Sequence, residues 1–318
     1  MDVINLGLIG AGRWGRNYIK TIAGIDGVRL ARLGSLNPAS KELVDADCSI
    51  SANWHELLDA RDLDGIIVAT PPALHAEMVS YSIGANIPVL VEKPLTLNFL
   101  EANKLLKQSR ERCSLVMVGH THLFNPAFEE LCRLSLSLGA IRTIRAEAGN
   151  HGPYRSDVPV LWDWGSHDIA MCIELVGSVP LVRASVCDER RKVEGGIGES
   201  IRLQLEWPDG KHAHIKLSNI KDRRRRFTVF CDSGVLVYDD LAQHKLVIHP
   251  AQSGDAHPKG DGTFLPIPSG FPLTRALERF VDAIRAGDNS HASLGLGVDV
   301  IGVLADCERI MDGEFTSL

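Results

Sequence analysis

Leu6-Gly7-Leu8-Ile9-Gly10-Ala11-Gly12-Arg13-Trp14-Gly15 sets an apolar run against a G-x-G-x-x-G turn, with the pattern of an amphipathic helix behind it. In that context Gly10 permits a tight turn, Gly12 lets the backbone approach a pyrophosphate, and Gly15 lets the helix lie close to the sheet. The helix opening there, with Arg13 and Trp14 in its first turn, offers free N–H groups and a partial positive charge to phosphate oxygens. Three glycines at this spacing can also do no more than turn a strand into a helix. The strand before and the helix after favour the phosphate-binding reading.

Outward from this turn, the first 120 residues alternate short apolar runs with amphipathic stretches. The pattern predicts strands at 3–9, 28–33, 65–69, 88–91 and 115–118, and helices at 13–23, 54–60, 75–83 and 97–112. Right-handed crossovers wind such units into a doubly wound parallel sheet, so the N-terminal part, 1–122, is expected to be a dinucleotide-binding Rossmann domain. After Phe124-Asn125-Pro126 the pattern changes. One helix is predicted near 127–138, a strand at 141–148, a helix at 167–176, then mostly strands from 179 to 249. The segment 252–270 reads as a loop, followed by helices at 274–286 and 297–311. The expectation for 123–318 is therefore an α/β substrate-binding and oligomerisation domain with a large, mostly antiparallel open sheet. Alternation such as Ile201-Leu203-Leu205 buries one sheet face, and the other is expected to carry apolar residues and form a homodimer or homotetramer.

A chain of 318 residues exceeds one hydrophobic core, which agrees with two domains. The formal net charge of -6 leaves no overall basic field for a polyanion, the one dense basic run being Arg223-Arg224-Arg225-Arg226. Nucleic acid is thereby excluded as an expected partner. The N-terminus lacks the form of a secretory signal, and no stretch reaches the ~18 apolar residues of a membrane span, so a cytoplasmic location is expected. Seven scattered cysteines without a C-x-x-C pair argue against a disulfide framework and a zinc site, and no metal is expected.

A dinucleotide-binding strand normally ends in an acid that holds the ribose, about 20 residues beyond the turn. Counting from Gly15 reaches Ser35, and Leu33-Gly34-Ser35-Leu36-Asn37-Pro38 contains no carboxylate. Ser35 and Asn37 can donate to a 2′-phosphate, with Arg32 or Lys41 as cations. They can equally form an ordinary polar turn and helix cap. The cofactor expected is NAD or NADP, with NADP slightly favoured by Ser35.

Ala69-Thr70-Pro71-Pro72-Ala73-Leu74-His75 and Glu92-Lys93-Pro94 end two successive strands. They are followed by Gly119-His120-Thr121, Asn125-Pro126, Leu161-Trp162-Asp163-Trp164-Gly165-Ser166-His167-Asp168 and Tyr238-Asp239-Asp240. In this order the chain resembles the glucose-fructose oxidoreductase and inositol dehydrogenase family (Gfo/Idh/MocA) over nearly its whole length. Its motifs are most similar in form to those of nucleotide-sugar dehydrogenases and ketoreductases. The departures are Ser35 in place of the ribose acid and Leu123 where many relatives carry arginine. The resemblance implies that Thr70, Pro71, Pro72, His75, Glu92 and Lys93 line the cofactor, and that Lys93, Asp163 and His167 are catalytic and touch substrate.

Read as residues alone, Lys93 is either a solvated charge past a strand end or a group aimed at a ligand by its place at the carboxyl end of a parallel strand. A cis peptide at Pro94 is one way to aim it. Asp163 and His167 are four apart and share a face if helix begins by Trp164; otherwise Asp163 or Ser166 caps a helix and His167 is a core histidine. Asp168 is a weaker candidate for a substrate hydroxyl. Tyr154 and Arg155, in the polar loop from Gly149, can hold substrate, and His120 and His122 can line the same cleft. Within the arginine run, Arg223 and Arg225 share a strand face and are candidates for an anionic group, or else form a wet face. The implied activity is hydride transfer between a nicotinamide and a secondary alcohol or ketone of a sugar, cyclitol or nucleotide-linked amino sugar. The alternatives are an NAD-dependent glycosidase of the same family, a dinucleotide-sensing regulator, and an imine or enal reductase resembling biliverdin reductase.

Overall fold

The structure is a computed structural model that describes residues 3–313. The chain forms two compact units, one reaching to Thr121 and including Phe271–Ile301, the other comprising His122–Gly270 and the chain from Gly302 on.

In the first unit β1 (Ile4–Ile9), α1 (Arg13–Ile22), β2 (Val28–Gly34), β3 (Ser49–Ser51), α2 (Trp54–Leu58) and β4 (Gly65–Val68) follow one another. They continue into α3 (His75–Gly84), β5 (Val89–Glu92), α4 (Phe99–Arg112) and β6 (Val116–Gly119). All pairings are parallel and the strand order is β3-β2-β1-β4-β5-β6, the doubly wound Rossmann arrangement. Leu6, Leu8, Ile66, Ile67, Val89 and Leu90 are wholly buried, as a sheet covered on both faces requires. Each such side chain contributes roughly 1.5–3 kcal/mol by leaving water. The three-residue β3 has no counterpart in the sequence reading, because it is too short to show alternation.

The second unit contains α5 (Pro126–Ser135), β7 (Ile141–His151), α6 (Val160–Val176), β8 (Leu181–Val193) and β9 (Gly196–Glu206). It continues through β10 (His212–Ser218), β11 (Ile220–Cys231), β12 (Gly234–Asp239), β13 (Leu246–Pro250) and β14 (Thr263–Phe264). Its eight strands run β14-β13-β12-β11-β7-β10-β9-β8, with only β7 and β10 parallel. The chain closes with α7 (Pro272–Ala286) and α8 (Ala292–Met311). Gly65 meets Phe280 and Ile284 of α7, and Gly297 of α8 meets Val118, all within the first unit. Beyond Gly302, Leu304 of α8 lies against Gly165 within the second.

Three local expectations are corrected. Helix α6 begins at Val160, not near His167, and its N-cap is Pro159, so neither Asp163 nor Ser166 caps it. The cause is burial nearly all round from Val160 to Ile173, which erases the amphipathic period that marks a helix in sequence. Gly149 to His151, read as loop, are the end of β7. A short strand, β14, interrupts the loop 252–270 and pairs with Val247 and Ile248.

The outward face of the large sheet is not the apolar surface expected. A row across it runs Arg202, Lys216, Glu147, Arg226, Asp239 on five adjacent strands. Exposed apolar side chains on that face occur at its two edges, Leu181 and Val186 on β8 and Phe264 on β14. No helix of the described residues is long and apolar enough to cross a membrane.

Candidate functional site

In the first unit the turn after β1 separates what the chain itself requires from what a ligand requires. Gly10 has φ +101°, and a Cβ there would lie 2.7 Å from the Ala69 carbonyl oxygen. At Gly15 a Cβ would lie 1.9 Å from the Gly10 oxygen. At Gly12 it would meet nothing within 4 Å. Packing therefore demands glycine at 10 and 15, whereas glycine at 12 keeps open the space in front of a helix N-terminus. That terminus has no side-chain cap and no acid in its first turn, so its N–H groups and dipole remain available to phosphate oxygens. Arg13 and Trp14 are exposed beside it. These residues fit a dinucleotide.

At the end of β2 the Ser35 hydroxyl pairs with that of Ser40 at 2.8 Å and accepts the Asn37 N–H at 3.2 Å. Asn37 in turn accepts the Ala39 N–H at 3.1 Å and caps a short 3-10 helix, Pro38–Leu43. Arg32, a candidate cation for a 2′-phosphate, forms a forked pair with Asp62 at 2.8 and 2.9 Å, while Lys41 is exposed.

The strand ends of β4 and β5 are tied together by His75. Its Nδ1 is 2.9 Å from the Pro94 oxygen and its Nε2 2.9 Å from the Thr70 oxygen. Burial lowers its pKa, and the two carbonyls offset part of that. Pro71 is exposed and Pro72 buried in the same turn. Glu92 is buried, its Oε1 accepting the Tyr18 hydroxyl at 2.8 Å and its Oε2 the Lys93 N–H at 3.2 Å. The backbone that carries Lys93 is thus fixed by a carboxylate that a tyrosine of α1 holds. The Lys93–Pro94 peptide is cis, and the Lys93 side chain is half-buried. His120, just past β6, is buried with neither ring nitrogen hydrogen-bonded among the described residues. Burial, then the charge of Lys93, lowers its pKa to about 3, so the ring is neutral.

In the second unit α6 presents Asp163, Trp164, His167 and Asp168 on adjoining faces. Its start is set by Glu199, which accepts the Val160 N–H at 3.1 Å and is itself paired with Arg190 at 2.7 Å. The His167 ring stacks on His122 with centroids 4.1 Å apart. Arg155 forks onto Asp157 at 3.0 and 2.6 Å and reaches Asp163 at 3.6 Å, so this loop arginine is joined to its own chain's acids. Tyr154, beside it, is half-exposed. Asp168 is 8% exposed, and burial raises its pKa to about 7 against the pull of Arg225. Arg225 lies over the Trp164 ring, 5.0 Å from its centroid.

The sequence reading gives no role to Tyr18 or Trp164. Tyr18 carries one signal, its i+3 spacing from Gly15 on the buried face of α1. Away from these groups, His212, His214 and Asp255 bring donor atoms within 4.8 Å of one another. The Asp255 Oδ2 already accepts two N–H groups of Arg145, at 3.0 and 2.8 Å.

Residues 4–120 match the Gfo/Idh/MocA family, described as an oxidoreductase family with an NAD-binding Rossmann fold. The crystal structure of an oxidoreductase from Magnetospirillum magnetotacticum MS-1 is 43% identical and superposes with a TM-score of 0.92, covering 96% of this chain and 100% of that one. The 4-carboxy-2-hydroxymuconate-6-semialdehyde dehydrogenase of Sphingobium sp. (strain NBRC 103272 / SYK-6) is 26% identical over 96% of this chain and 98% of its own. The UDP-N-acetylglucosamine 3-dehydrogenase of Acidithiobacillus ferrooxidans is 28% identical over 70% of each chain. The chain belongs to the Gfo/Idh/MocA oxidoreductase family and is an NAD(P)-dependent dehydrogenase or reductase.

Proposed function

We propose that the protein interconverts a secondary alcohol and its ketone on a sugar, cyclitol or nucleotide-linked amino sugar. The observation that carries this reading is α6, which sets Asp163 and His167 one turn apart on a helix whose start is anchored by Glu199. An imidazole can take and return a proton near neutrality, as alcohol oxidation and ketone reduction require. A relative named as the 3-dehydrogenase of a nucleotide-linked amino sugar supports the chemistry of the class.

In this reading His167 removes the hydroxyl proton during oxidation and returns it during reduction. Lys93 orients and polarises the reacting oxygen, and Asp163, steadied by Arg155, orients the imidazole. His120, Tyr154 and Arg155 belong to the substrate side. Gly10, Gly12, Arg13, Trp14 and Gly15 hold the pyrophosphate, with Ser35 and Asn37 at the ribose. When bound, the nicotinamide accepts or supplies the hydride of the carbinol carbon. Without an acid at Ser35 to repel a 2′-phosphate, NADP serves at least as well as NAD.

The test is a screen of sugars, cyclitols and nucleotide sugars with each cofactor, followed by the absorbance of reduced nicotinamide. His167→Asn and Lys93→Ala are each expected to lower turnover by about 100-fold or more while cofactor affinity stays within about threefold. Near-normal turnover in both variants would overturn the assignment.

A further inference from the structure

Strand β11 carries four consecutive arginines, and the sheet divides them by side. Arg224 and Arg226 face outward, Arg224 3.7 Å from Glu147 and Arg226 forked onto Asp239 at 3.1 and 2.9 Å. Arg225 points the other way. It pairs in register with Ala148, beside Leu217, and Leu217 is the residue on which Gly165 of α6 rests. Arg225 is half-buried, its guanidinium lies over Trp164, and among the described residues that guanidinium donates no hydrogen bond and forms no ion pair. Arg223, the other candidate from the sequence, is exposed.

The acid nearest in character is Asp168, one helical turn past Trp164 and next in sequence to His167. Its Oδ2 is buried and makes no hydrogen bond among the described residues, although Arg225 influences its charge. A buried acid and a half-buried guanidinium that existed only to neutralise each other would close to ion-pair distance, since each otherwise keeps a desolvation cost uncompensated. They stand apart, with the guanidinium over an indole, 5.0 Å from its centroid, and its fork of donors unspent.

We propose that Arg225, backed by Trp164 and beside Asp168, binds an anionic oxygen group of the substrate, a carboxylate or a phosphate, so that the physiological alcohol is acidic. A planar fork of N–H donors matches two oxygens of either group, and the cation–π contact with the indole limits where the fork can swing before the ligand arrives. The Asp168 carboxyl then meets a hydroxyl or oxygen next to that anion. This inference rests on the reading of α6 as the proton-transfer helix, because it places the anionic group next to His167.

The test compares matched pairs as substrates: D-glucuronate and D-glucose 6-phosphate against D-glucose, and D-galacturonate against D-galactose, each with both cofactors. An acidic member is expected to exceed its neutral parent by about 100-fold in kcat/KM. Arg225→Gln should remove that advantage and leave the neutral parent within about threefold, while Arg225→Lys, which keeps charge but loses the fork, falls between. The uronate and phosphate arms separate the two sources of the anion. Preference for neutral members, unchanged in Arg225→Gln, overturns the subsite and leaves the dehydrogenase reading standing. Equal loss on acidic and neutral members also overturns it, because that marks a packing role. Should Arg225→Gln not fold, the selective loss is read from Arg225→Lys. No turnover on any member overturns the acidic-sugar class alone, because the dehydrogenase reading is decided by the broader screen of sugars, cyclitols and nucleotide sugars.

Discussion

Two buried titratable groups respond to pH in opposite senses. His120 has its pKa lowered to about 3 by burial and by Lys93, so the unfolded chain binds more protons than the folded one between about pH 3 and 6.5. Its contribution is therefore complete above about 6.5 and is lost as pH falls towards 3. Asp168 is raised to about 7 by burial, so the folded chain binds more protons between about pH 4 and 7, and that contribution is lost as pH rises through 7. Measured by denaturant unfolding, the stability of wild type relative to His120→Gln should rise with pH across the first window. Relative to Asp168→Asn it should fall across the second, each by up to about 1.4 kcal/mol per pH unit. A flat difference in either comparison would mean that the group titrates as it does in the unfolded chain. At this scale sequence displays residues whose neighbours are local: Lys93 stands in a tripeptide, and Asp163 and His167 in one helical turn. It hides those whose partners are remote, as Tyr18 is from Glu92, 74 residues away, or Trp164 from Arg225.

Among the elements, the strand–turn–helix at β1 and α1 was the most readable, because three positional demands on glycine fall within six residues. The structure divides those demands, and the division can be measured. Gly15→Ala drives a Cβ into the Gly10 carbonyl, and either the turn or the helix must shift, so unfolding of the cofactor-free protein should come at a temperature lower by several degrees. Gly12→Ala meets no protein atom and has φ -69°, so the same measurement should show a change of about 2 °C or less, while cofactor affinity falls at least about tenfold. Unchanged cofactor affinity in Gly12→Ala would move the phosphate site elsewhere. Helix α6 shows the opposite case. Its first two turns are buried nearly all round, Asp163 excepted, and large apolar residues fall on several faces, so periodicity could not extend it back to Val160. The (i, i+4) relation of Asp163 to His167 nevertheless follows from that longer helix.

For the whole molecule, the two sheets were legible from the change in pattern after Pro126, but the path of the chain between units was not. Helix α7 packs on β4 through Phe280 and Ile284, a contact about 215 residues distant in sequence, and no linear pattern announces such a return. The outward face of the eight-stranded sheet raises the remaining question of assembly. We propose that it pairs with the same face of a second copy, giving a dimer or a dimer of dimers. A two-fold contact sets each side chain of a patch against the same patch reversed, so a row of mixed sign such as Arg202, Lys216, Glu147, Arg226 and Asp239 can meet itself with opposite charges opposed. The exposed apolar contribution sits at the two edges, Leu181 and Val186 on β8 and Phe264 on β14, so across the middle of the face the ionic part should decide how association responds to its surroundings. Exposed pairs are weak singly and are screened over about 10 Å at 0.1 M salt and about 3 Å at 1 M. Light scattering over a dilution series should therefore show an oligomer at low ionic strength that shifts towards monomer as salt rises. Reversing one charge in the row, as in Lys216→Glu, should raise the concentration needed for association. A monomer at every concentration and salt level would refute the pairing, and an oligomer indifferent to both salt and Lys216→Glu would place the contact on another surface.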